Sequence, residues 1–129
     1  MCSRLSFKQG NITRQESLSY GKQVVFSTAA GTIIKGVFAG NLRAERFNAY
    51  WKQRTAKIHV IPVKGFSEGR NRNMKHFEVK IGSAVVVAEM KNGELRMATQ
   101  PAAHGVERVH DRMPFLVTEN YQPKTNIKK

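Results

Sequence analysis

Residues 76–99 read HFEVKIGSAVVVAEMKNGELRMAT, and this stretch decides the fold class. Three runs rich in β-branched and apolar residues are separated by Gly82-Ser83 and by Lys91-Asn92-Gly93. Both separators carry hairpin chemistry, because Gly and Asn reach positive φ at little cost. The pattern predicts an antiparallel meander of three strands. Glycines and short polar clusters recur along the rest of the chain at roughly the eight-to-twelve-residue spacing of β-rich domains. Further strands are expected at 3–7, 23–27 and 32–38, in KIHVIP (57–62) and in MPFLV (113–117). RAERFNAYWKQR (43–54) is the best helix candidate: Ala44, Phe47 and Trp51 share a face, while Arg43, Arg46, Lys52 and Arg54 face water or a ligand. QPAAHGVER (100–108) reads as a loop or short helix started by Pro101. The expected architecture is α+β: antiparallel strands forming a partly closed barrel with one main helix. A single domain is expected over 1–118, followed by a basic, flexible tail at 119–129.

The charge balance is lopsided. Among 129 residues, 22 Lys+Arg stand against 9 Asp+Glu, a formal net charge of +13. Such an excess attracts polyanions, nucleic acid first among them; a basic surface kept for solubility is the competing account. No apolar run reaches the length of a membrane span, and the start lacks a secretory pattern. A cytoplasmic monomer is expected. The one cysteine, Cys2, excludes a disulfide framework and a multi-thiolate zinc site. The four histidines show no ligand-like spacing, so neither a metal nor another cofactor is expected.

Four stretches place reactive side chains near strand ends and turns: MCSR (1–4), GNLRAER (40–46), IPVKGFSEG (61–69) and RVHDRMPF (108–115). Removal of Met1 would leave Cys2 with an α-amine and a thiol on one residue. Their reference pKa values, about 8 and 8.5, leave reactive fractions of each near neutrality. An amine and a thiol two carbons apart trap an aldehyde as a Schiff base that closes to a thiazolidine; an incidental residue in a frayed terminus is the alternative. Asn41 either caps the following helix or orients a reactive group, with Arg43 two residues on holding a phosphate. Glu68 is a turn glutamate, either solvated or held beside Phe66 with a raised pKa for proton transfer. His110 is a candidate acid or base and Arg112 a phosphate clamp, against a plain salt-bridge cluster.

Taken together, the segments MCSR, NLRAE (41–45), PVKGFSEG (62–69) and HDRMP (110–114) resemble, in the same order, the signature segments of the SOS response-associated peptidase (SRAP) family of abasic-site processing proteins. Those segments are Met-Cys-Gly-Arg, Asn-Ala-Arg-x-Glu, Pro-x-x-Gly-Phe-x-Glu-Trp and His-Asp-Arg-Met-Pro. The resemblance implies an SRAP-like fold and covalent capture of abasic sites in single-stranded DNA through Cys2, during DNA damage or the SOS response. It also implies autoproteolytic release of Met1 and DNA lyase chemistry at the Schiff-base stage. On this reading Asn41 orients the N-terminus and sugar, Glu68 is general acid/base, and His110 protonates the opened sugar oxygen. Arg4, Arg43 and Arg112 hold phosphates, and Thr99 lines the pocket. The setting implied is the cytoplasm of a bacterial cell or phage-infected host, at the nucleoid when DNA is damaged. Ser3 and Gly69 stand where the family has Gly and Trp, Lys64 where it has Asp or Ser, and the chain is shorter than typical members. Two other functions are weighed: a non-catalytic single-strand binder stacking bases on Phe26, Phe38, Trp51 and Phe66, and an N-terminal-cysteine peptidase or amidohydrolase.

Overall fold

The computed structural model describes residues 2–9, 12–46, 54–70 and 73–122. Its strands are β1 (Cys2–Gln9), β2 (Ile12–Ser17), β3 (Gln23–Ser27), β4 (Ile33–Arg43), β5 (Thr55–Pro62), β6 (Gly65–Arg70), β7 (Asn73–Glu78), β8 (Ser83–Met90), β9 (Leu95–Pro101), β10 (Arg112–Pro114) and β11 (Leu116–Thr118). They form two sheets. The smaller has the order β2-β1-β6-β7; the larger runs β11-β8-β9-β4-β3, with β5 added to β8 and β10 to β9. The β4–β9 pair is parallel and the other pairs are antiparallel. The chain is thus β-rich, and no closed barrel is found among the described residues.

The apolar run Ala84–Ala88 has a simple cause. Val85 and Val87 join the main core between the sheets, with Leu5, Phe7 and Phe66 from the smaller one. Val86, Ala88 and Met90 face the other way, into a second cluster with Leu42 and Ala98 that Phe115, Val117 and Tyr121 cover. A strand buried on both faces loses the polar alternation of a half-exposed one. Phe26, Phe38 and Phe66 are all within 2% of full burial. They are core residues and offer no face to a base; Trp51 lies outside the described residues.

The meander is half of what forms. The hairpin β8–β9 is closed by Met90 N–H donating to Glu94 O and Gly93 N–H to Met90 O. The segment before it, β7, pairs with β6 in the other sheet, because β8 has no edge left. One edge of β8 is taken by β5 throughout. The other is shared between β9, from Val87 to Glu89, and β11, from Ser83 to Val85. Gly82, at φ 90°, therefore turns the chain between sheets rather than within one.

Beyond the Val87–Met97 pair, β8 and β9 fork. Residues 112–118 fill the fork: β10 pairs with Thr99–Pro101 of β9 and β11 with β8, while Phe115 N–H donates to Ala98 O between them. The expected single strand MPFLV is thus two short strands on different partners. Beyond them Glu119 N–H is tied to Gly82 O, and Tyr121 packs edge-on against Phe115, so the fold continues past 118. The expected strand at 32–38 runs on to Arg43. Of the expected helix, the described part opens with a single 3-10 turn, Ala44–Arg46, and residues 47–53 lie outside the described residues.

Gly65 marks the tightest approach between strands. A Cβ there would lie 2.6 Å from Phe77 O and 2.9 Å from the His76 ring. Gly65→Ala must push β6 and β7 apart, and overpacking of this kind costs about 1–3 kcal/mol. The expected result is a lower urea midpoint at unchanged slope.

Candidate active site

The β1–β6 ladder places Cys2 directly across from Glu68, whereas the next register partners are Arg4 and Ser67. Two steps on β1 answer one on β6, so Ser3 is the extra residue of a β-bulge. Such bulges re-aim the chain and recur beside functional sites. Among the described residues, His104 is the non-glycine residue with positive φ. Ser3 lies within β1 and is not among the residues with positive φ, the region where glycine would be favoured.

Glu68 is not a turn residue. It lies within β6, two residues from Phe66 and on the same inward face, and is fully buried. Burial pushes its carboxyl up to about 7, with the positive charge of the chain's amino terminus pulling the other way. A carboxyl poised near neutrality can both give and take a proton at physiological pH. The sequence pays for this in stability, since a carboxylate taken out of water is costly to ionise.

The other candidates gather where β4, β9 and β10 meet. Asn41 and Arg43 fall at the end of β4, opposite Met97 and Thr99 of β9. Here too the register slips: three steps from Phe38 to Asn41 answer two on β9, and Gly40 takes φ 106°. Asn41 is a strand residue, not a helix cap, and its Oδ1 is buried with no hydrogen-bond partner among the described residues. Most buried polar atoms of folded domains have a hydrogen-bond partner, so this acceptor is unusual. Arg43 and Arg4 are exposed.

Thr99 is buried; its hydroxyl donates to Leu42 O at 3.3 Å and accepts from Arg112 Nη2 at 3.0 Å. Arg112 also donates to Thr99 O at 3.0 Å and grips the Glu45 carboxylate with both Nη atoms, at 2.8 and 2.9 Å. That fork-on-fork pairing holds Glu45 down at about 2, and Glu45 in turn raises Arg112. The candidate phosphate clamp thus already holds an anion of its own chain. Sequence reading gave Glu45 no role, although it closes the segment NLRAE; only the fold brings it to Arg112. His110 Nδ1 accepts the Arg112 N–H at 3.1 Å and lies 3.2 Å from Asp111 Oδ1. Neutral His110 therefore carries its proton on Nε2; protonation would let Nδ1 donate to Asp111 instead.

The two groups adjoin where β10 runs beside β1, and Met113 enters the same core as Leu5 and Phe66. Among the described residues, no group of three or more His, Cys, Asp or Glu side chains could hold a metal ion, and no helix is long and apolar enough to cross a membrane. A surface cavity of about 620 Å3 opens elsewhere, beside Ser6 and Lys64, and none of the eight candidate residues lines it. Comparison with protein-family models, with curated proteins and with solved structures finds no match for the chain.

Two variants test these assignments. The raised Glu68 binds a proton in the native state that the unfolded chain has released, so its contribution makes stability fall as pH rises from about 4.5 to about 7. Glu68→Gln should flatten this fall and unfold at higher denaturant than the native chain at pH 8. Arg112→Gln strands Glu45 and the Thr99 carbonyl; a loss of about 1–3 kcal/mol is expected in urea unfolding.

Proposed function

We propose that this chain is a self-crosslinking abasic-site processing protein with an SRAP-like fold, including the helix expected after β4. Once Met1 is removed, Cys2 captures the ring-opened sugar of an abasic site in single-stranded DNA. The observation that carries the reading is the register pair Cys2–Glu68: the residue with an amine and a thiol to offer lies across one ladder step from a fully buried carboxyl whose pKa burial raises. Directly paired Cα atoms in an antiparallel ladder are about 4.5–5.5 Å apart, within side-chain reach.

The chemistry runs in two bond-forming steps. The Cys2 amine adds to the C1′ aldehyde and water leaves, giving a Schiff base. The thiol sulfur then adds to the imine carbon; Glu68 takes the thiol proton and the ring nitrogen gains one. The product is a thiazolidine, with one water lost overall. His110 protonates the sugar oxygen as the ring opens. Asn41, with its buried unpartnered acceptor, takes a hydrogen bond from the N-terminus or the sugar. Arg4 and Arg43 hold flanking phosphates, Thr99 lines the pocket, and Arg112 reaches a phosphate only by releasing Glu45. Autoproteolytic loss of Met1 and lyase cleavage at the Schiff-base stage belong to the same machinery. The net charge of +13 supports a DNA partner. The proposed setting is the bacterial or phage-infected cytoplasm under DNA damage. Burial of three phenylalanines removes most of the surface on which a non-catalytic binder would stack bases.

Incubation with single-stranded DNA carrying one abasic site should give a slow band on a denaturing gel. Cys2→Ala should abolish it, and Glu68→Gln should slow its appearance by about 10²-fold or more, the usual scale for losing a proton-transfer group. Reversible DNA binding with no such band would contradict the proposal.

A further inference from the structure

The cavity beside Ser6 lies away from the Cys2–Glu68 pair. Leu5 and Phe7 point into the core, so Ser6, between them on β1, points to the opposite face of the smaller sheet. Ser6 is nonetheless only 7% exposed, because the connections after β5 and β7 fold over it. Its hydroxyl lines the cavity and has no hydrogen-bond partner among the described residues.

Backbone hydrogen bonds stitch the walls together. Lys64 N–H donates to Ser6 O at 2.6 Å and Val79 N–H to Lys64 O at 3.1 Å, so the cavity is formed in advance of any ligand. Lys64 and Lys80 line it from two different connections, and neither is in an ion pair with a described residue. Glu78 and Glu119 also line it and are likewise unpaired among the described residues. Val63 and Val79 supply apolar wall, and Ile81 stands wholly exposed at the rim.

We infer that this cavity binds a nucleotide. The two lysines and the Ser6 hydroxyl receive the phosphate. The carboxylates of Glu78 and Glu119 accept hydrogen bonds from sugar hydroxyls or an exocyclic amine, and the base lies on Val79 and Ile81. Both signs of charge are thereby used, which a bare anion would not achieve. A volume of about 620 Å3 lies within the range of small-ligand sites, and it accommodates one nucleotide unit. The same chemistry is offered by a free mononucleotide and by one unit of a single strand. The inference does not rest on the proposed crosslinking, because the two sites share no residue.

Calorimetric titration of the full chain with AMP is the test. Binding is expected, weakened at least about tenfold in the double variant Lys64→Gln/Lys80→Gln, the scale of one charge-assisted hydrogen bond. Both lysines are exposed, and circular dichroism checks that the variant folds. Cys2→Ala should bind AMP as the native chain does, which separates this site from the crosslinking centre. Displacement of AMP by an intact single-stranded oligonucleotide assigns the site to a strand, and lack of displacement to a free nucleotide; either agrees with the inference. No heat with AMP at millimolar concentration, equal binding by the lysine variant, or equal affinity for inorganic phosphate would overturn it.

Discussion

The fork between β8 and β9 is the constraint on which the rest of the molecule depends. Two strands of a hairpin that separate leave a set of backbone donors and acceptors that must be satisfied if they are to stay buried. Residues 112–118 satisfy them from both sides, and in doing so they fix three things at once. Met113 is driven into the main core, Phe115 and Val117 cover the second cluster, and Arg112 is delivered to Thr99 and Glu45. β10 then runs beside β1, so the segment HDRMP and the chain's beginning become neighbours although more than 100 residues separate them.

Against this well-paired frame, two polar groups stand out. Glu68 occupies a position where the alternation of β6 calls for an apolar side chain, and Asn41 leaves an acceptor buried without a donor among the described residues. Each sits beside a register slip, one at Ser3 and one at Gly40. Local departures of this kind lower stability and concentrate where chemistry is done. The Arg112–Glu45–Thr99 cluster is different in character, since its charges are matched and its hydrogen bonds made. It ties β4 and its following turn to β9 and β10, and so holds Arg43 and Asn41 in place.

Much of the local structure was legible in the sequence. The KNG turn, the strand at 23–27 and the β5 segment KIHVIP follow from turn chemistry and β-branched content. Pairing was less legible. GSAVVV looks like the second arm of a hairpin, yet β7 joins the other sheet because β5, β9 and β11 already occupy both edges of β8; edge occupancy is a property of the whole fold. Phe26, Phe38 and Phe66 could equally have been core or stacking surface by type, and only burial decides between them. Glu68 was readable as a residue of interest, but its place inside a strand was hidden by the flanking glycines, which resemble a turn. The grip of Arg112 on Glu45, 67 residues away, has no local signal at all.

The central claim is that Glu68 handles the proton of Cys2. The rate of covalent capture of an abasic-site oligonucleotide, followed by intact mass across pH 5–9, tests it most directly. If Glu68 acts as base for the thiol, the native rate rises through a limb near pH 7, and Glu68→Gln is slow and lacks that limb. An adduct that forms at the same rate and with the same pH profile in Glu68→Gln, or no adduct with the Met1-processed chain at any pH, would contradict the account.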